Sequence, residues 1–322
     1  VTAAALVALT FIIVTGAAVR LTGSGLGCPS WPHCEPGSLV PRGATGSHGT
    51  IEFLNRLVTG AVSVAVGVAV LGSYRRSPRR DDLVRLSWGL VAGVFANALL
   101  GMLVVMLDLS PVSVIGHFLL SLLLLWDGVV LHHRAGAPDV EDGDRPAMVN
   151  RPLVPPVVLW VGRALVAAAA TVLVLGTVVT GSGPHGGDEE AERLPIALGD
   201  AARAHGIAEV VFLALTLTFV LLLVRHQAPA TVQRRGRLLL GVLVGQGGLG
   251  YLQYFHSDGV DLLGAHIAQE WMIALHVLGA AVVWMATLAA VLSLGQRRPA
   301  GASAARPAPA TAPAAAAVPV AH

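Results

Sequence analysis

The chain has 322 residues, 54% of them hydrophobic and only 12% charged, with a net charge of +2. Soluble domains carry about a quarter charged residues, so this balance excludes an ordinary soluble enzyme, and no nucleic-acid partner is expected. Apolar runs of about 20 residues recur, each long enough to cross about 30 Å of hydrocarbon. They lack the period-two alternation of barrel strands, so the expected class is an all-α polytopic membrane protein.

Eight transmembrane helices are expected, at roughly 2–19, 48–72, 86–107, 113–132, 157–179, 205–224, 238–255 and 271–295. Val1 already stands inside the first apolar run, so the true N-terminus is expected upstream. All 21 basic residues are arginine, and 15 of them fall in alternate breaks: 73–85, 133–156, after the sixth span and after the eighth. The positive-inside rule then places both termini in the cytoplasm and turns the loops at 20–47, 108–112, 180–204 and 256–270 outward. The Ala/Pro-rich end of the chain has no periodicity, and 297–322 is expected to be a disordered cytoplasmic tail.

The two halves echo each other. Span one ends in Gly23-Ser24-Gly25 and span five in Gly181-Ser182-Gly183, while span four opens on Gly116-His117 and span eight carries Leu275-His276 at the matching place. Four spans per copy give both copies the same orientation, so two four-helix bundles related as parallel repeats are expected. The bundles would cover 1–135 and 157–296, joined by a cytoplasmic linker at 136–156.

Ionisable groups inside the spans carry the chemistry, because each costs about 2.5–3.5 kcal/mol to insert and is kept for a purpose. Most of the 12 histidines lie in loops or at helix ends, among them His33 and His185, and read as solvated. His48, His117, His205 and His276 sit at or just inside the outer ends of spans. His205 is 20 residues from Arg225 and His276 is 21 from Arg297, so the two share a height and suit the two sides of one haem iron. His117 has a comparable depth. On span two that depth falls at Asn55, and His48 stands seven residues, about 10.5 Å, further out. His48 is still a ligand candidate, since His48-Gly49-x-x-Glu52 echoes His205-Gly206-x-x-Glu209. Glu52 shares a helix face with Asn55; it either pairs with Arg56 one turn on or acts as an in-membrane base. Glu209 and Arg163 read as structural.

The segment Arg20-Leu-Thr-Gly-Ser-Gly-Leu-Gly-Cys28-Pro-Ser-Trp31-Pro-His-Cys34 resembles the first outer loop of the bacterial haem A synthases, and the eight-span duplicated layout and histidine placement fit that family. The resemblance implies an oxidoreductase of the bacterial plasma membrane that converts the C8 methyl of haem O to a formyl group, giving haem A for cytochrome c oxidase. It implies haem b as cofactor in the C-terminal half, at His205 and His276, and haem O as substrate in the N-terminal half, with Glu52 as the catalytic carboxylate. Many members carry Glu-x-x-His-Arg on the second span; here it is Glu52-Phe-Leu-Asn55-Arg56. The substrate iron is then left to His117, alone or with a displaced His48. Arg20 and Arg56 are candidates to meet haem propionates or shape the site. Expected partners are a haem O synthase, an unidentified electron acceptor and the lipid bilayer.

Cys28 and Cys34 are the only cysteines, six apart in an outward loop on the oxidising side, where a disulfide is favoured over a redox relay. The competing functional class is a di-haem b-type cytochrome passing electrons between quinol and a partner. A parallel-repeat transporter fits less well, because its polar groups would gather at broken helices near the midplane.

Overall fold

The computed structural model describes residues 1–28, 30–43, 45–139, 148–257 and 269–299. Its frame is eight helices: α1 (Thr2–Leu21), α2 (Gly46–Arg75), α3 (Asp81–Met106), α4 (Pro111–Ala135), α5 (Pro156–Ser182), α6 (Leu198–Arg225), α7 (Ala230–Ser257) and α8 (Gln269–Leu292). All eight are long and apolar enough to cross a membrane, as the sequence indicates. Proline opens α4 and α5 at their first turn, where its missing N–H and fixed φ cost nothing. The α3–α4 link is so short that Asp108 and Leu109 take φ of 47° and 58°, and Leu109 N–H returns to the Val104 carbonyl at 2.9 Å.

Several features depart from the sequence expectation: α6 starts at Leu198 rather than near 205 and α3 at Asp81 rather than near 86, since helical bonding runs on through first turns that carry charged residues. Helix α7 starts at Ala230 rather than near 238, because its first turns carry Arg234, Arg235 and Arg237 and hydropathy alone sets them outside the span. The linker and the end of α8 are also joined: β1 (Met148–Pro152) pairs antiparallel with β2 (Gly295–Pro299), Val149 opposite Arg298, and Leu153 N–H bonds the Leu294 carbonyl at 2.8 Å. Residues 297–299, expected at the head of the disordered tail, are therefore in a strand, whose backbone bonds fix them regardless of side-chain pattern. The rest of the expected tail, from 300 on, lies outside the described residues, as does most of the 256–270 loop.

Helices α1 to α4 form a closed ring of neighbours, each touching the next and α4 touching α1, and α5 to α8 do the same. The rings meet through α1–α8, α4–α8 and α4–α5. Helix α1 buries Ala5, Leu9, Ile13 and Ala17, a stripe at spacing four whose small members let neighbours approach closely. Across the seam Trp284 is 3% exposed, donates Nε1–H to the Leu122 carbonyl at 3.0 Å, and meets Trp126 edge-on at 5.8 Å. Large apolar side chains such as Phe11, Val64, Phe95, Trp160 and Leu221 point outward, as a lipid-facing surface requires. At the arginine-rich end, Arg76 donates to the Ala135 carbonyl at 2.7 Å and Arg80 to the Arg134 carbonyl at 3.2 Å, tying the α2–α3 link to the end of α4.

Candidate functional site

A cavity of about 580 Å³ runs through the seam of the two rings and is lined from both. Its volume is within the range of small-molecule and cofactor sites. From the second ring it takes His205, Glu209, Gln246 and His276; from the first, Glu52, Asn55, Asn97 and His117.

Three of the cavity histidines are each set by a glycine on the preceding helix. A Cβ on Gly101 would stand 3.1 Å from His117 Cε1, one on Gly250 3.1 Å from His276 Cε1, and one on Gly176 3.2 Å from His205 Cε1. Only glycine leaves the ring this close to the neighbouring backbone. His205 Nδ1 faces the Val172 carbonyl at 3.0 Å. That contact fixes the tautomer and leaves Nε2 as a lone-pair donor, the usual arrangement of a metal-binding imidazole. The rings of His205 and His276 meet edge-on, with centroids 6.3 Å apart and planes at 66°. A metal bonded at about 2 Å to one nitrogen of each ring would set the centres about 6 Å apart. The residues present thus fit a bis-imidazole iron. Gln246 Nε2 donates to the His276 carbonyl at 2.9 Å, fixing α7 against α8 beside the pair.

The mouth of α2 is bound to the outer loop. Glu52 is 6% exposed; its Oε2 accepts the Cys28 N–H at 2.6 Å and its Oε1 pairs with Arg56. The i, i+4 pair expected from sequence exists, and the same carboxylate lines the cavity. Arg56 also donates to the Pro32 carbonyl at 3.1 Å and the Ser30 carbonyl at 3.4 Å, so its charge is committed to the loop. Cys28 and Cys34 form a disulfide and are fully buried. His48 does not line the cavity: it is exposed, with Nδ1 3.0 Å from Ser24 Oγ. Its backbone carbonyl lies where a Cβ on Gly27 would come within 2.3 Å. Gly27→Ala is therefore expected to push the loop off α2 and lower the thermal midpoint of detergent-solubilised protein, by about 1–3 kcal/mol of overpacking.

Arg20, in the last turn of α1, lines the cavity and donates to the His185 carbonyl at 2.9 Å. His185, which reads from sequence as a solvated loop residue, also lines the cavity, and its Nε2 is buried without a partner among the described residues. The missed signal is the paired glycines of the two outer loops. Gly25 N–H bonds the Gly187 carbonyl at 2.8 Å, folding the second loop over the first. Burial lowers the His185 pKa, with Arg20 and then Arg193 adding to that and Glu270 opposing it. A neutral His185 in the fold, against an ordinary value near 6.5 unfolded, means the unfolded chain binds more protons below that pH. The stability from this group is therefore whole above about pH 6.5 and falls on acidification. Thermal midpoints measured from pH 8 to 5 are expected to fall, and His185→Asn to flatten that slope.

The family model COX15-CtaA, described as cytochrome oxidase assembly protein, matches residues 1–184. The chain belongs to this family. The matched stretch holds Glu52, Asn55 and His117, whereas His205 and His276 lie beyond it and stand on their geometry. Relatives include the Heme A synthase of Lysinibacillus sphaericus, 36% identical over 121 residues, 37% of this chain and 39% of that one. Another is the Heme A synthase of Bacillus licheniformis, 32% identical over 118 residues, 36% of this chain and 38% of the relative. The Heme A synthase of Listeria monocytogenes is 31% identical over 119 residues, 37% and 39% of the two chains. The chain thus matches about two fifths of the length of these relatives.

Proposed function

We propose that this multi-pass membrane protein is a haem A synthase, oxidising the C8 methyl of haem O to a formyl group and so giving haem A for cytochrome c oxidase. The observation that carries the reading is the pair His205 and His276 in a cavity that continues to Glu52, Asn55 and His117. In this reading His205 and His276 hold haem b, and His117 holds the iron of the substrate haem. His48 belongs to the outer-loop contact and falls outside the ligand set. Arg20 meets a propionate at the mouth, and Arg56 shapes the site through the loop carbonyls it already holds.

Bound there, haem b supplies one-electron transfer and haem O the methyl group to be oxidised. The protein's part is to place that methyl beside a fixed base. Glu52 is held in place by the Cys28 N–H and Arg56, so it neither swings away nor needs to reorganise when positive charge develops at the ring edge. Its role is to accept a proton from the methyl carbon as that carbon is oxidised, the electrons leaving to the electron acceptor and water completing the formyl group. The Trp31-Pro32 turn, carried by the disulfide loop, lines the cavity beside Glu52 and Arg56.

The matching ring contacts support duplication of a four-helix unit, since exchanging each helix with the one four later maps α1–α8 onto α5–α4 and returns α4–α8 to itself. We place both termini in the cytoplasm of a bacterial plasma membrane, with a haem O synthase upstream and an electron acceptor on the outer side. A di-haem cytochrome would need a second matched histidine pair, and Asn55 stands where His117 would need its partner. The test is expression in cells that make haem O, followed by haem extraction. Haem A should appear, and haem O with haem b alone would sink the proposal.

A further inference from the structure

Four positions line the cavity, one on each of α2, α4, α6 and α8, and three are histidine. Helices α6 and α8 stand diagonally across the second ring, and α2 and α4 have the same relation in the first. Each position is braced by the helix before it: His117 by Gly101, His205 by Gly176 and Val172, His276 by Gly250. On α2 the position is Asn55, and the brace is a hydrogen bond, Thr15 Oγ1–H to Asn55 Oδ1 at 2.7 Å. A carboxamide has one acceptor end and one donor end. With Oδ1 tied to α1, the free end of this cavity-lining side chain is the Nδ2 amino group, which makes no hydrogen bond among the described residues. A neutral amide is a poor iron ligand beside an imidazole, but it is a competent donor, and donors in a distal pocket decide what an open haem face binds.

We propose that Asn55 is a distal hydrogen-bond donor. It leaves the haem face opposite His117 open to a small exogenous ligand and donates Nδ2–H to that ligand, with Thr15 holding the amide in the donating orientation. This rests on the proposed haem site at His117. Asn55 is here a positioning residue, and its effect is read on a ligand rather than on turnover.

The test uses the full-length protein purified from haem-replete cells, reduced, with carbon monoxide as the probe. One haem per chain should bind carbon monoxide, and it should be the haem lost in His117→Ala. Asn55→Val should keep that binding and move the C–O stretch to higher frequency, because a donor has been removed. Thr15→Val should split the stretch into two bands as the amide turns freely. Asn55→His should abolish carbon monoxide binding and add a second low-spin haem. The low-spin spectrum of the His205–His276 haem, unchanged in each variant, reports that the fold is intact. An unmoved C–O stretch in Asn55→Val, or an unsplit and unmoved one in Thr15→Val should the first variant not fold, overturns the donor role and leaves the His117 site standing. A chain with no carbon-monoxide-reactive haem, or one whose reactive haem survives His117→Ala, overturns the parent reading as well.

Discussion

Replacing Glu52 with glutamine is expected to cut haem A formation by about 10²–10⁴-fold, the usual worth of a positioned acid–base group, while the protein keeps its haem. Glutamine fills the same volume, and its Oε1 can still accept the Cys28 N–H, so the outer loop stays docked on α2. What it lacks is the charge that pairs with Arg56 and the capacity to take a proton. Glu52→Ala is a different experiment. It leaves the buried Cys28 N–H unsatisfied, at a cost of about 1–3 kcal/mol, and frees Arg56 from one of its anchors. If Glu52 only ties down the loop, the glutamine variant should lose activity in proportion to thermal stability and haem content. If it is the base, activity falls alone. Haem extraction and a melting curve on the same preparations separate the two.

His205→Ala and His276→Ala are each expected to lower haem b occupancy by at least about tenfold, since even outer-shell partners of a metal ligand are worth 10–100-fold. The two rings are held independently, His205 by Val172 and Gly176, His276 by Gly250 and the Gln246 contact to its backbone. Loss of either leaves the other in place, so added imidazole is expected to restore part of the low-spin spectrum in both variants. His117→Ala should leave that spectrum alone. Pyridine haemochrome assays on purified protein give the occupancy directly. Equal haem loss in all three variants would mean that the cavity collapses as a unit rather than binding iron at two addresses.

The spans were legible from sequence because length and hydropathy suffice in a bilayer, where every backbone group must be satisfied within a helix. The start of α7 was not, since helical hydrogen bonding continues through the interfacial arginines that mark the edge of the hydrocarbon. Nor was the β1–β2 ribbon: Met148–Pro152 and Gly295–Pro299 carry arginine and proline with no period-two pattern, and their pairing depends on two chain ends meeting in space. The three histidines that depth counting singles out, His117, His205 and His276, line the cavity, and so does Asn55, the residue at that depth on α2, whereas His48 does not. The competing His48/His205 echo compared local letters and ignored that His48 is spent on Ser24 and the loop. His185 and Glu209 escaped because cavity lining is a tertiary property. One is carried in by the Gly25–Gly187 contact, the other faces Gly247 across α6 and α7, where a Cβ would stand 2.7 Å from Oε1.

The measurement that bears most directly on the account is electron paramagnetic resonance of the oxidised, haem-loaded protein. Two signals are expected: a low-spin iron that disappears with His205→Ala, and a high-spin iron that disappears with His117→Ala. A preparation without haem after haem-replete growth, or one in which all the iron is low-spin, would contradict it.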